Sequence, residues 1–154
     1  GSAMGRIAAW NYAYLRALEN PVLGGGFETF LLHTRDVHSA YFEILGEHGF
    51  IALGLWLSLL LGAVVSLQRL RKRAKDLEDG AWWRDCARAI QISLIGYAVG
   101  GAFLGAAYWD IFYHLVALSV LMKTFIHRKE EALSLSASQV PSDPVGYRAG
   151  VPAG

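Results

Sequence analysis

Only one cysteine, Cys86, is present, which excludes an intrachain disulfide and any cysteine-cluster metal site. Charge is scarce too. Charged residues make up 18% of the chain and their signs nearly cancel to +1, so no global field draws a nucleic acid or another polyanion. What is abundant is apolar side chain: hydrophobic residues reach 54%, above the roughly 45–50% of globular domains. They are concentrated in uninterrupted runs, a distribution that lipid selects and a mixed soluble core does not. The opening Gly1-Ser2-Ala3-Met4 reads as the remnant of a cleaved tag at 1–4. No signal peptide follows it, and the natural protein is expected to begin upstream.

The first run, FIALGLWLSLLLGAVVSL at 50–67, holds neither charge nor proline. At ~1.5 Å per residue, about 20 helical residues cross a ~30 Å hydrocarbon core, so this run is expected to span. The second, AIQISLIGYAVGGAFLGAAYW at 89–109, is also uncharged; the third, IFYHLVALSVLMKTFI at 111–126, carries His114 and Lys123. Lys123 lies near the end of its run, where its stem can snorkel to the headgroups. Between the first two runs, Arg69, Arg71, Lys72, Arg73, Lys75, Arg84 and Arg88 crowd the segment 68–88, while the corner Tyr108-Trp109-Asp110 has no basic residue. The positive-inside rule therefore puts 68–88 in the cytoplasm and that corner outside. Asp76, Glu78, Asp79 and Asp85 offset the basic residues, which argues against nucleic acid. Trp82 and Trp83 read as an aromatic belt at the inner interface.

Everything before residue 50 then lies outside. Ile7, Trp10, Tyr14 and Leu18 recur at the spacing of one apolar helical face, and Asn20-Pro21 ends that helix because the residue before proline avoids the α region. Gly24-Gly25-Gly26 supplies a flexible turn. A second helix is expected from an Asp36 N-cap to Glu47, stopped by Gly49. The fold expected is all-α and integral to the membrane. An external helix-loop-helix segment at 5–49 precedes a three-helix transmembrane region at 50–131, whose basic loop at 68–88 is cytoplasmic. The segment 132–154, rich in Ser, Pro, Gly and Ala, reads as a disordered cytoplasmic tail. A soluble bundle is disfavoured, because charge-poor faces on three helices would need burial by only 154 residues.

Arg6, Arg16, Arg35 and His38 sit among aromatics in the outer segment. Arginine offers forked donors to phosphate oxygens, and histidine moves a proton near neutral pH. With Asp36 as cap, His38 takes the second helical position, where the dipole keeps imidazole neutral and able to accept a proton. Tyr41, Phe42 and Leu45 would share its face. The plainer reading makes His38 an interfacial residue of an amphipathic helix. Gly96, Gly100, Gly101 and Gly105 form successive G-x-x-x-G pairs, and Gly54, Ser58 and Gly62 line a small face; both point to helix packing. Asp110 and His114, at i and i+4 in the outer corner, are functional candidates or parts of an aromatic anchor.

The stretch PVLGGGFETF followed by VHSAYFEILGEHGF resembles the signature of the O-antigen ligase/polymerase superfamily. There a P-x-x-G-x-G turn precedes an external loop, and an H-[SN]-x-[YF]-x-x-x-x-x-E-x-G element leads into a transmembrane helix. Pro21, Gly24 and Gly26 match the first element; His38, Ser39, Tyr41, Glu47 and Gly49 match the second. The later AFLGAAYWDIFYHLVALSVL is similar to the end of exosortase-associated O-glycosylation ligases in that superfamily. The resemblance implies transfer of an oligosaccharide from an undecaprenyl-diphosphate carrier to an acceptor hydroxyl on the outer side of the bacterial inner membrane, without nucleotide sugar or metal. The acceptor would be a glycan, a lipid or a protein. It further implies Arg6, in an R-x-x-x-W arrangement with Trp10, and Arg35 as diphosphate contacts, with His38 as the base. Arg16, Tyr41, Asp110 and His114 are candidate substrate contacts. Members of the superfamily have more spanning helices, so this chain looks like a C-terminal piece, inactive without the remaining transmembrane helices. The reading from another class is a non-catalytic membrane scaffold that docks a partner.

Overall fold

Proline cannot continue a helix, and α1 (Ala3–Glu19) stops just before Asn20-Pro21. In the computed structural model, which describes residues 3–30 and 37–138, three further helices follow: α2 (Ala40–Arg73), α3 (Gly80–Gly101) and α4 (Asp110–Ser138). A 3₁₀ turn at Ala74–Asp76 follows α2, and no strand occurs among the described residues. Ala3 and Met4, set aside as tag remnant, form the first turn of α1.

The buried stripe of α1 is Ala9, Ala13 and Ala17, whereas Ile7, Tyr14 and Leu18 are exposed. Of the apolar face read from the larger side chains, only Trp10 borders this stripe. Small residues win because α1 crosses α2 closely: a Cβ added at Gly46 would stand 3.1 Å from Ala13 Cα. Trp10 completes the contact by stacking on Phe42, ring centres 5.2 Å apart.

The expected stop at Gly49 is a bend inside a longer helix. Gly49 has φ +78°, and the helix resumes on its far side. A break of this kind strips carbonyls of their i+4 donors, and buried carbonyls need replacements. The turn after Pro21 supplies them: Gly25 N–H donates to the Gly46 carbonyl (2.7 Å) and Gly26 N–H to that of Glu47 (2.9 Å). In return Phe50 N–H donates to the Pro21 carbonyl (2.9 Å). The two backbones approach so closely that a Cβ at Gly24 would meet the Glu47 carbonyl carbon at 2.6 Å, and one at Gly49 the Pro21 oxygen at 2.5 Å.

Beyond the bend, Trp56 anchors the bundle between Phe112 (ring centres 4.9 Å) and Tyr41 (5.4 Å), and Leu60, Leu67, Leu94 and Ile126 extend the buried core. The loop expected at 68–88 is mostly helical. The end of α2 and the start of α3 consume it, and Arg71, Gln91 and the Val64 carbonyl tie them together. The tail expected from residue 132 is helical as far as Ser138; 139–154 lie outside the described residues.

The stretch Ala40–Asp76 is long and apolar enough to cross a membrane by length and composition; its most apolar window has mean hydropathy 2.4 and is only 22% buried. The second and third runs do not meet that standard. α3 begins among Arg84, Asp85 and Arg88 and ends at Gly101, so its charge-free part, 89–101, is about 20 Å long at 1.5 Å per residue. Residues 102–109 leave the helix, held back by the Tyr97 hydroxyl on the Ala106 carbonyl. The third run carries Lys123, and α4, which contains it, begins on Asp110. The glycine pairs also find little to pack against: added Cβ atoms at Gly54, Gly62, Gly96 and Gly100 meet nothing within 4 Å, while Gly101 meets Ala40 at 3.4 Å.

Gly49→Ala should lower the midpoint of thermal unfolding in detergent, since the left-handed backbone costs ~1–2 kcal/mol for a side chain and the Pro21 carbonyl blocks its Cβ. Gly54→Ala, mid-helix and in open space, should leave the midpoint unchanged or raise it. Equal midpoints for the two variants would contradict the interlock.

Candidate functional site

Beside the turn–helix interlock, a cavity of about 370 Å³ opens between residues 27–30, residues 37–38, the first turns of α2 and the 102–109 loop. α1 sets one edge. The Trp10 indole N–H donates to the Val37 carbonyl (3.0 Å), and Val37 packs with Ala13 and Phe30. This pins the residue just before His38.

His38 borders the cavity, exposed, with φ +44°. It precedes the N-cap of α2, which is Ser39 in extended conformation (φ −160°, ψ 119°). The placement at the second helical position is therefore corrected: α2 begins at Ala40, and the face shared with Tyr41, Phe42 and Leu45 does not exist at His38. Left-handed backbone is uncommon outside glycine, and histidine is among the residues enriched there. Tyr41 turns the other way, donating its hydroxyl to the Ala98 carbonyl (2.7 Å) inside the bundle.

Neither Arg6 nor Arg16 lines the cavity. Arg6 is exposed on α1, one turn before Trp10 and on the same side. Arg16 is engaged locally, donating to Tyr12 Oη (3.1 Å) and pairing with Glu19 (2.8 Å); these bonds, Tyr12 first, raise its pKa further. Arg35, with Asp36, lies outside the described residues. Asp110 and His114 are exposed on the first turns of α4, away from the cavity lining. The imidazole Nδ1 bonds the Asp110 backbone carbonyl (2.7 Å), so the pair meets through main chain instead of carboxylate.

The polar groups that do converge are Glu43, Glu47 and Tyr108. Glu47 is 4% exposed and accepts a short hydrogen bond from the Tyr108 hydroxyl. His48 Nε2 lies 3.0 Å from the same hydroxyl. Burial first, and then the bond to Glu47, push the Tyr108 phenol well above its ordinary pKa, so it stays a donor. Glu43 accepts from the Ala107 N–H (3.3 Å), fixing the 102–109 loop from within the cavity. Phe27 closes the group edge-on to Tyr108, ring centres 5.4 Å apart. Sequence reasoning met Glu47 only as a motif match and Tyr108 only as part of an aromatic corner. The signal for their meeting was weak, since 61 residues separate them.

An imidazole at the rim of a cavity holding carboxyl groups and a phenol can take a proton from a hydroxyl and hold neighbouring hydroxyls in place. Comparison with family models, curated proteins and solved structures returns no match.

Tyr108→Phe removes the phenol donor from a buried carboxyl and should cost ~1–3 kcal/mol of stability. Adding Glu47→Gln should cost less than the sum of the two single changes, because one bond is being counted twice. Full additivity in thermal unfolding would show that the two side chains do not share a hydrogen bond.

Proposed function

We propose that this chain belongs to a multi-pass inner-membrane glycan ligase or polymerase of the O-antigen kind, with residues 5–49 on the periplasmic side. The observation that carries this reading is the interlock. The two sequence elements behind the resemblance, the Pro21–Gly26 turn and the segment from His38 to Gly49, bond to one another beside the cavity that His38 borders.

Membrane placement rests on the surface of the bundle. Leu55, Leu61, Ile92, Val99, Val120 and Phe125 are each more than half exposed, on three different helices. Soluble proteins rarely expose contiguous apolar surface on that scale. We therefore read α2 beyond Gly49, α3 and α4 all as spans. The short apolar part of α3 is accommodated by local thinning and by snorkelling at its basic end. The cavity lies at the end opposite Arg69, Arg71, Lys72 and Arg73, which the positive-inside rule makes the outer end.

In the reaction, His38 accepts the proton of an acceptor hydroxyl as its oxygen bonds the anomeric carbon of the donor. The bond from that carbon to the diphosphate breaks, and the undecaprenyl diphosphate departs with the electron pair. Arg6 and Arg35 attract the departing charge, and further transmembrane helices of the full-length protein complete the donor site. The reading as a non-catalytic docking scaffold draws on one observation: Arg16 is already occupied by Tyr12 and Glu19.

His38→Asn tests the chemistry without disturbing the backbone, because asparagine tolerates the left-handed region. In the full-length protein it should reduce glycan transfer by ~10²–10⁴-fold with thermal unfolding unchanged. Retained transfer would favour the scaffold. For topology, a cysteine at Asn11 should react with an impermeant thiol reagent in intact spheroplasts, and one at Lys75 only after lysis, with Cys86 replaced in both. The reverse pattern would contradict an outer cavity.

A further inference from the structure

We infer that the basic groove between the end of α2 and the start of α3 seats the phosphates of an anionic phospholipid, and that its two lobes fit a lipid carrying two of them, of the diphosphatidylglycerol kind. This goes beyond the transfer reading and borrows from it only the membrane placement of the helices. Counted along 68–88, Asp76, Glu78, Asp79 and Asp85 nearly offset the basic residues. Folding separates the two signs. Arg71, Lys72 and Lys75 line the groove from one side and Arg84 and Arg88 from the other, with Asp85 as the one acid among its described lining residues. Asp79 is drawn away to Lys129 (2.7 Å). Among the described residues, none of the five basic side chains is within ion-pair distance of a carboxylate.

Arg71 is set in place by neutral partners. Gln91 donates to the Val64 carbonyl (3.2 Å) and accepts from Arg71 Nη1 (3.1 Å), and Gln68 accepts from the same nitrogen (3.2 Å). These bonds orient the guanidinium without neutralising it. Among the described residues its Nε–Nη2 edge is unbonded, and such an edge can grip two phosphate oxygens at once. The groove has two recesses, of about 310 and 260 Å³, which share Arg71 and Arg84. Two phosphates on one short linker would place one in each recess, with these arginines between them. The same two helices carry a surface for the tails. Val65 lies one turn before Gln68, and Ile92 one turn beyond Arg88. Both are exposed, at 45% and 62%, so apolar surface runs up to the cationic groove on each helix. A ligand with an anionic head and apolar tails matches that succession, whereas a free phosphate uses only half of it. Basic pockets between helices at the cytoplasmic membrane surface bind such headgroups.

The test is native mass spectrometry of the chain in a neutral detergent, titrated with tetraoleoyl diphosphatidylglycerol, dioleoyl phosphatidylglycerol or dioleoyl phosphatidylcholine. One molecule of the first should bind, about tenfold tighter than phosphatidylglycerol, and phosphatidylcholine should not be retained. Arg71→Gln combined with Arg84→Gln should weaken binding about tenfold. Arg69→Gln combined with Arg73→Gln removes the same charge from outside the groove, where salt screens it, and should weaken binding less than about threefold. Gln91→Met keeps charge and size but releases Arg71, and should weaken binding about threefold with thermal unfolding unchanged.

Equal losses in the two arginine pairs would reduce the groove to general surface charge and overturn the seat. Equal binding of the one-phosphate and two-phosphate lipids would overturn the two-phosphate assignment. Displacement by inorganic phosphate at the lipid's own concentration would make the ligand a soluble anion and overturn the lipid. Detergent removes the question of sidedness, so failures are distinguishable. No lipid binding, with a cysteine at Lys75 still protected in intact spheroplasts, brings down the groove alone. Lipid binding with full transfer by His38→Asn leaves the groove standing and brings down the transfer reading.

Discussion

Where α2 bends at Gly49, it leaves the carbonyls of Gly46 and Glu47 without helical donors, and the structure around the site follows from how they are satisfied. Water is a poor solution in a segment this buried, because an unpaired carbonyl there forfeits a hydrogen bond. The turn after Pro21 provides Gly25 and Gly26 N–H groups, and Pro21 takes the Phe50 N–H in exchange. Glycine is required because the contact is between main chains: Gly24, Gly26 and Gly49 all have positive φ, and added carbon atoms at Gly24 and Gly49 would collide with carbonyl groups. The exchange fixes the distance between turn and helix, and so the width of the cavity that Glu43 and Glu47 line.

Below the bend the physics changes. Trp56, Tyr97 and Phe112 pack into one aromatic cluster, and the apolar residues around the outside of the bundle face away from it. A bundle of this kind is stable where its surroundings are as apolar as its own surface. On the proposed reading the site stands where that apolar surface ends, at the place where a lipid-borne reactant and a water-borne one can meet.

Some of this was legible in the residues. The all-helical fold, the long apolar helix, the stop at Asn20-Pro21 and the turn at the glycines all follow from local rules of spacing and backbone freedom. Four things were not. His38 looked helical because Asp36 is a good cap, but Ser39 holds the N-cap position of α2, and the pinning of Val37 by Trp10 precedes it. The buried stripe of α1 did not stand out because close crossing favours alanine over the larger residues that set the apolar pattern. The meeting of Glu43 and Glu47 with Ala107 and Tyr108 joins segments more than 60 residues apart, and no periodicity carries that information. The second run looked like a complete span because composition does not reveal that the helix ends at Gly101.

The exchange of hydrogen bonds between turn and helix can be measured directly by amide hydrogen exchange, residue by residue, in lipid nanodiscs. If the turn replaces the missing helical donors, the Gly25, Gly26 and Phe50 amides exchange slowly and with one shared protection, because opening the interlock frees all three together. If Gly25 and Gly26 exchange at the rate of a free loop while Phe50 stays protected, the turn is not holding the bend, and the cavity built upon it loses its foundation.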